Sequence, residues 1–184
     1  VSFSQVEEAC QELLGCKIIS LRPKMLGDIW NDVLSTAALL GVKQKGYEFQ
    51  EEVDARIQAV QDRVGNGEQS KPKVLTIEWI DPIYVGGMWL PEMIQISGGQ
   101  VCIAESGQPA PIVSREDLEK LEPEVVIVKP CGYKLEQTLK EMESLKTQIP
   151  WQDWEARYGT RFYLVDGNSY FNRPGPRIID SLEI

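Results

Sequence analysis

Residues 73–99 read KVLTIEWIDPIYVGGMWLPEMIQISGG. The stretch opens on Lys73 to Glu78, a near-continuous apolar run of strand length, which is the pattern of a strand buried on both faces of a parallel sheet. Val125 to Val128 and Phe162 to Val165 repeat that pattern, and Val101 to Ile103 carries a weaker version. Between these runs helical spacing predicts helices near Met88 to Ser97, Arg115 to Leu121, Leu135 to Lys146 and Gln152 to Tyr158. The helix at Arg115 is announced by Ser114 with Asp117 three residues on, a capping-box arrangement. Short strands alternating with helices at this spacing argue an α/β fold: a three-layer lobe, helices on both faces of a mostly parallel sheet.

Upstream, Val6, Cys10 and Leu13 lie at helical spacing within Ser4 to Leu14, and Gly15 is a stop signal. Lys17 to Leu21 reads as a short strand closed by Arg22-Pro23. Ile29, Val33, Ala37 and Leu40 recur at helical intervals and predict a helix from Leu26 to Leu40, with a break bracketed by Gly41 and Gly46. Phe49, Val53, Ile57, Val60 and Val64 form the clearest apolar stripe of the chain, a helix over Tyr47 to Val64. It ends at Gly65-Asn66-Gly67, and the polar run to Pro72 is a linker. The natural division is therefore 1–45, 46–72 and 73–184.

At 184 residues the chain makes one compact domain or two small lobes, and 42% hydrophobic residues set it in the globular range. It contains no histidine, which removes Ser-His-Asp catalysis, His-ligated zinc and His-held haem iron. Lys and Arg number 19 against 28 Asp and Glu, and a net charge of -9 repels phosphate backbones, so nucleic acid is not an expected partner. No stretch has the length of apolar residues that a membrane span needs, and residues 1–20 lack a signal-peptide pattern. Cys10, Cys16, Cys102 and Cys131 show no CxxC pair or metal-ligand spacing and are expected to be small buried hydrophobes. A nucleophilic Cys131 would need a base, and histidine is not there to serve.

Ligands of open parallel sheets gather outside the carboxyl ends of the strands. Four loops there are unusual: Trp79 to Trp89 with three aromatics, Ser106 to Pro111, Lys129-Pro130-Cys131-Gly132-Tyr133, and Asp166 to Pro176 with Tyr170, Phe171, Asn172 and Arg173. Rings on loop tips offer flat, stiff surfaces to a large planar ligand, or else pack as the rim of an ordinary core. Tyr84, Trp89, Tyr133 and Tyr170 taken together point to a pocket. Gly86-Gly87 ahead of a helix has the form of a phosphate cradle but lacks the longer pattern and its Lys, so it reads better as turn geometry. Trp151 and Trp154 are core residues. No pair of carboxylates has a spacing that supports acid/base catalysis, and no catalytic residue or metal ligand is assigned.

The run from Val74 to Gly99 resembles the start of the second lobe in periplasmic substrate-binding proteins of the cobalamin type, which serve ABC importers. PIVSREDLEKLEPEVVIV at 111–128, the KPCGY loop, and NSYFNRPGPRIIDSLEI at 168–184 extend the likeness over about residues 25–184. The resemblance implies a clamp of two lobes joined by one long helix, matched by Tyr47 to Val64, with the ligand in the cleft. Residues 1–45 are then a partial first lobe, 46–72 the linking helix and linker, and 73–184 the C-terminal lobe. Tyr84, Trp89, Tyr170 and Arg173 match ligand-facing positions, and Trp79, Tyr133 and Phe171 complete the ligand-binding set. Glu116 matches the acidic residue that docks on the permease, although a first-turn Glu is also favoured by the helix dipole. The chain departs from the pattern in opening with only one helix and one strand of a first lobe that has several strands ahead of the linking helix, in a short final helix over Arg177 to Ile184, and in Ala110, where cobalamin binders can carry a ring.

The resemblance implies a non-catalytic protein that captures cobalamin, an iron-siderophore or a similar chelate as transported ligand, with no covalently bound cofactor. It would work outside the cytoplasm, reaching the membrane only through the permease of the importer. Two other readings stand beside it: a flavodoxin-like or Rossmann-like enzyme acting on a nucleotide or cofactor, with a phosphate bound near Gly86, and an interaction module without ligand.

Overall fold

The computed structural model describes residues 2–10, 17–65 and 71–184. Its centre is a five-stranded sheet in which β1 (Lys73–Trp79), β4 (Val125–Val128) and β5 (Arg161–Leu164) run parallel in that order. The outer edge of β1 is shared by two short strands. β2 (Tyr84–Val85) pairs antiparallel with its carboxyl end, and β3 (Gln100–Val101) pairs parallel with its amino end.

Alternation along the strands sends one set of apolar side chains into a core and turns Val74, Thr76, Val125 and Ile127 to the opposite face. Leu75, Ile77, Val126 and Val128 pack with Met142, Leu145, Ile149 and Trp154 on one face. These last belong to α7 (Met142–Gln148), its following turn, and α8 (Trp151–Tyr158). Beyond the other face lies a second cluster, where Leu26, Ile29 and Trp30 of α2 (Leu26–Leu39) and Val53 and Val60 of α3 (Lys43–Val64) meet Leu90 and Met93 of α4 (Leu90–Ile96) and Ile178, Ile179 and Leu182 of α9 (Ile178–Glu183). The architecture is the α/β fold with a mostly parallel sheet that the strand pattern predicts.

Local chemistry explains most element ends. Ser114 caps α5 (Arg115–Glu119): its Oγ accepts from the Asp117 N–H at 3.1 Å and donates to Asp117 Oδ2 at 2.7 Å. Gly159 takes the left-handed conformation after α8, φ 63°. The first turn of α2 is held from two sides. Asp28 Oδ2 accepts from the Lys24 and Met25 N–H groups, and Glu92 of α4 reaches across the sequence to accept from the Leu26 N–H at 2.9 Å.

Four expectations are corrected. Residues 17–23 form no strand: Ile18, Ile19 and Leu21 stay 36%, 39% and 49% exposed, because a β-branched run becomes a strand only where a neighbour completes its ladder. Gly46 does not break the chain but lies buried inside α3, whose start is Lys43. A Cβ there would stand 2.9 Å from that of Ala37, so the glycine marks the close crossing of α2 and α3. The single helix expected over Leu135 to Lys146 is two, α6 (Leu135–Lys140) and α7, since the Glu141 N–H is shared between the Gln137 and Thr138 carbonyls and tightens the turn. The cysteines are not uniformly buried: Cys10 and Cys102 are half-buried and Cys131 is exposed. Cys16 and part of the expected linker lie outside the described residues, as does the end of the helix expected over Ser4 to Leu14, of which α1 (Phe3–Cys10) is described.

Candidate ligand-binding site

Three chain exits meet at the carboxyl end of the parallel strands. The register that sets Ile77 beside Val128 brings the next residues, Glu78 and Lys129, side by side. Lys129 has no solvent exposure; its Nζ donates to Glu78 Oε2 at 3.1 Å and to Asn172 Oδ1 at 3.0 Å. Burial pushes the ammonium pKa down, and the Glu78 carboxylate pulls against that shift. Asn172 closes the loop after β5, where Gly167–Phe171 winds as a π-helical turn capped by Asp166, whose Oδ1 accepts from the Ser169 N–H at 2.7 Å. The expected plain loop over Asp166 to Pro176 is thus partly helical.

The six ring positions singled out from the sequence divide into two groups, with Arg173 apart from both. Trp79 and Tyr133 meet edge to face with centroids 5.6 Å apart, and Tyr84 stands opposite Trp79 in the β1–β2 register. Trp79 and Tyr133 line a cavity of about 180 Å3 with Ile80, Asp81, Pro130 and Ser144. Trp89, Tyr170 and Phe171 form the other group, against the helical core. The Trp89 Nε1–H donates to the Phe171 carbonyl at 3.3 Å, and the Arg177 guanidinium lies over the Tyr170 ring at 5.5 Å. Phe171 lines a second, apolar cavity of about 390 Å3 between the sheet and α4 and α9. Arg173 is exposed and donates to Asn168 Oδ1 at 3.0 Å. No described cavity is lined by Tyr84, Trp89, Tyr133 and Tyr170 together. What joins the groups is backbone: the Asn168 N–H donates to the Tyr133 carbonyl at 3.1 Å, and Gly167 lies so close to the Lys129 and Pro130 carbonyls that a Cβ would meet them at 2.6 and 2.5 Å.

Gly86 and Gly87 owe their identity to packing. The Gly86 N–H is spent on the Thr76 carbonyl, and a Cβ on Gly87 would stand 2.5 Å from the Ala110 nitrogen. The phosphate-cradle reading therefore has no geometric support at Gly86. Trp154 is buried, with its Nε1–H donating to the Leu121 carbonyl at 3.1 Å, and Trp151 stacks on Phe162 as a core rim residue. Glu116 is 84% exposed in the first turn of α5, 3.4 Å from Lys120.

Sequence reasoning missed Lys129 and Glu78. The signal was present: each is the first charged residue after the apolar run of a buried strand, and parallel pairing of the two runs makes them neighbours.

A family model described as periplasmic binding protein matches residues 9–168. The chain belongs to the periplasmic binding protein family. Among curated proteins no sequence match is found. Solved structures with the same fold include an ABC transporter substrate-binding protein from Listeria monocytogenes EGD-e, at TM-score 0.78 and 16% identity over 98% of this chain and 70% of that one. A periplasmic heme-binding protein from Roseiflexus sp. RS-1 gives TM-score 0.77 and 21% identity over 99% and 69%. The periplasmic vitamin B12 binding protein of Vibrio cholerae gives 0.63 and 23% over 97% and 67%. Among the described residues no helix is long and apolar enough to cross a membrane, and no group of three or more His, Cys, Asp or Glu could hold a metal ion.

Proposed function

We propose that this substrate-binding protein captures a large planar chelate of the cobalamin class outside the cytoplasm and presents it to the permease of an ABC importer, without a catalytic step. The observation that carries the reading is the Trp79–Tyr133 pair at the mouth of the parallel strands, on loops stitched to the ring-bearing turn after β5. Aromatic faces supply dispersion and stacking for a macrocycle, and Arg173, exposed on the neighbouring loop, offers N–H donors to its polar edge. The similar structures include binders of heme and of vitamin B12.

In this reading α3 is the linking helix, residues 73–184 form the ligand-bearing lobe, and residues 1–45 are part of the other lobe. Glu116, exposed at the start of α5 and only loosely tied to Lys120, is the contact for basic residues of the permease. Titration of cyanocobalamin, haemin and a ferric siderophore, followed by tryptophan fluorescence, tests the proposal. Saturable quenching by cyanocobalamin is expected, weakened by Trp79→Ala and by Tyr133→Ala. Quenching by haemin alone replaces the ligand, and no response to any of the three removes the reading.

A further inference from the structure

Lys129 is the only charged side chain among the described residues that is fully buried. A buried ion pair is seldom there for stability, because the cost of drying both charges offsets their attraction and an apolar trio of the same volume does as well. What apolar side chains cannot do is fix direction. Lys129 Nζ bonds at once to Glu78, at the end of β1, and to Asn172, after the π-helical turn, while the Asn172 amide donates to the Pro130 carbonyl at 3.3 Å. Backbone bonds continue the stitching: Cys131 N–H to the Glu78 carbonyl at 2.9 Å, and Asn168 N–H to the Tyr133 carbonyl at 3.1 Å. Each of the three chain exits so joined bears a ring beside the junction. Trp79 follows Glu78, Tyr133 closes the Lys129 loop, and Tyr170 and Phe171 precede Asn172.

We infer that Lys129 and Asn172 are positioning residues, which lock the exits of β1, β4 and β5 into one frame so that Trp79 and Tyr133 are set before a ligand arrives. Neither touches the ligand. Their effect is preorganisation, which spares binding the cost of ordering three loops. The inference rests on the rim being the ligand seat, but its first readout needs no ligand.

Three proteins are compared: wild type, the double variant Glu78→Met with Lys129→Met, and Asn172→Ala, which keeps the ion pair and cuts only the tie to the third loop. In both variants amide exchange at Cys131 and Asn168 is expected to quicken by about tenfold or more, while the double variant, having no unpaired charge, stays folded with a melting temperature near that of wild type. Affinity for whichever of cyanocobalamin or haemin the wild type binds is expected to fall by about tenfold or more in both. Wild-type exchange in Asn172→Ala overturns the inference, as does faster exchange with unchanged affinity. If the double variant does not fold, Asn172→Ala decides alone. If the wild type binds neither probe, the functional reading fails, and exchange still decides whether the junction holds the loops.

Discussion

Cys102 and Cys131 have the same thiol and different surroundings. Cys102, half-buried beside the core, has its pKa pushed up to about 11 by desolvation, the nearby Lys73 opposing. Partial desolvation also raises that of Cys131, where Lys129 opposes, but the residue lies exposed on its loop. Thiolate is the reactive form, so alkylation near neutral pH is expected to label Cys131 well before Cys102, and Cys102 to label readily only in strong alkali. The sign for stability follows from the raised value. An acid whose pKa is higher folded than unfolded favours the fold fully below its unfolded pKa, and that contribution is lost as pH climbs through the folded value of about 11. Peptide mapping after timed alkylation at two pH values checks the order; equal labelling of both at neutral pH refutes it.

At the scale of elements, what was legible followed from periodicity. Val125 to Val128 is β4 to the residue, and the apolar stripe starting at Phe49 lies within α3, because a stripe facing one core is a property of the segment itself. Lys17 to Leu21 shows the limit, since its residues favour a strand and strand formation still depends on another segment. The same dependence governs the start of α2, which Glu92 holds from 66 positions away. Glu92→Ala removes the acceptor for the Leu26 N–H, an otherwise unpaired donor of the first turn, and should lower stability by about 1 to 2 kcal/mol. Denaturant unfolding measures it. A loss below a few tenths of a kcal/mol would mean that Asp28 alone holds this helix end.

The molecule as a whole packs two cores on one sheet, with α3 running from its partner α2 to a contact with the α4–β3 turn, where Val64 lies against Gly98. Arg56 of α3 bonds Asp180 and Glu183, which ties the long helix to α9. A ligand that binds only this folded arrangement stabilises it by mass action. Cyanocobalamin at about a hundred times its dissociation constant should contribute about 2.7 kcal/mol and raise the melting temperature by roughly 5 to 10 °C. A calorimetric scan with no shift at saturating concentration would sink cobalamin as the cargo.

Fold class, the three parallel strands and the loops that bear the rings were determined by the sequence alone, since apolar period and turn residues act over a few neighbouring positions. The tertiary structure alone decided that Lys129 would be buried against Glu78 and Asn172, that Trp79 would meet Tyr133 while Trp89 and Tyr170 joined the helical core, and that Lys17 to Leu21 would stay unpaired. Those outcomes depend on strand register and on which distant segment completes a contact, and no local pattern encodes either.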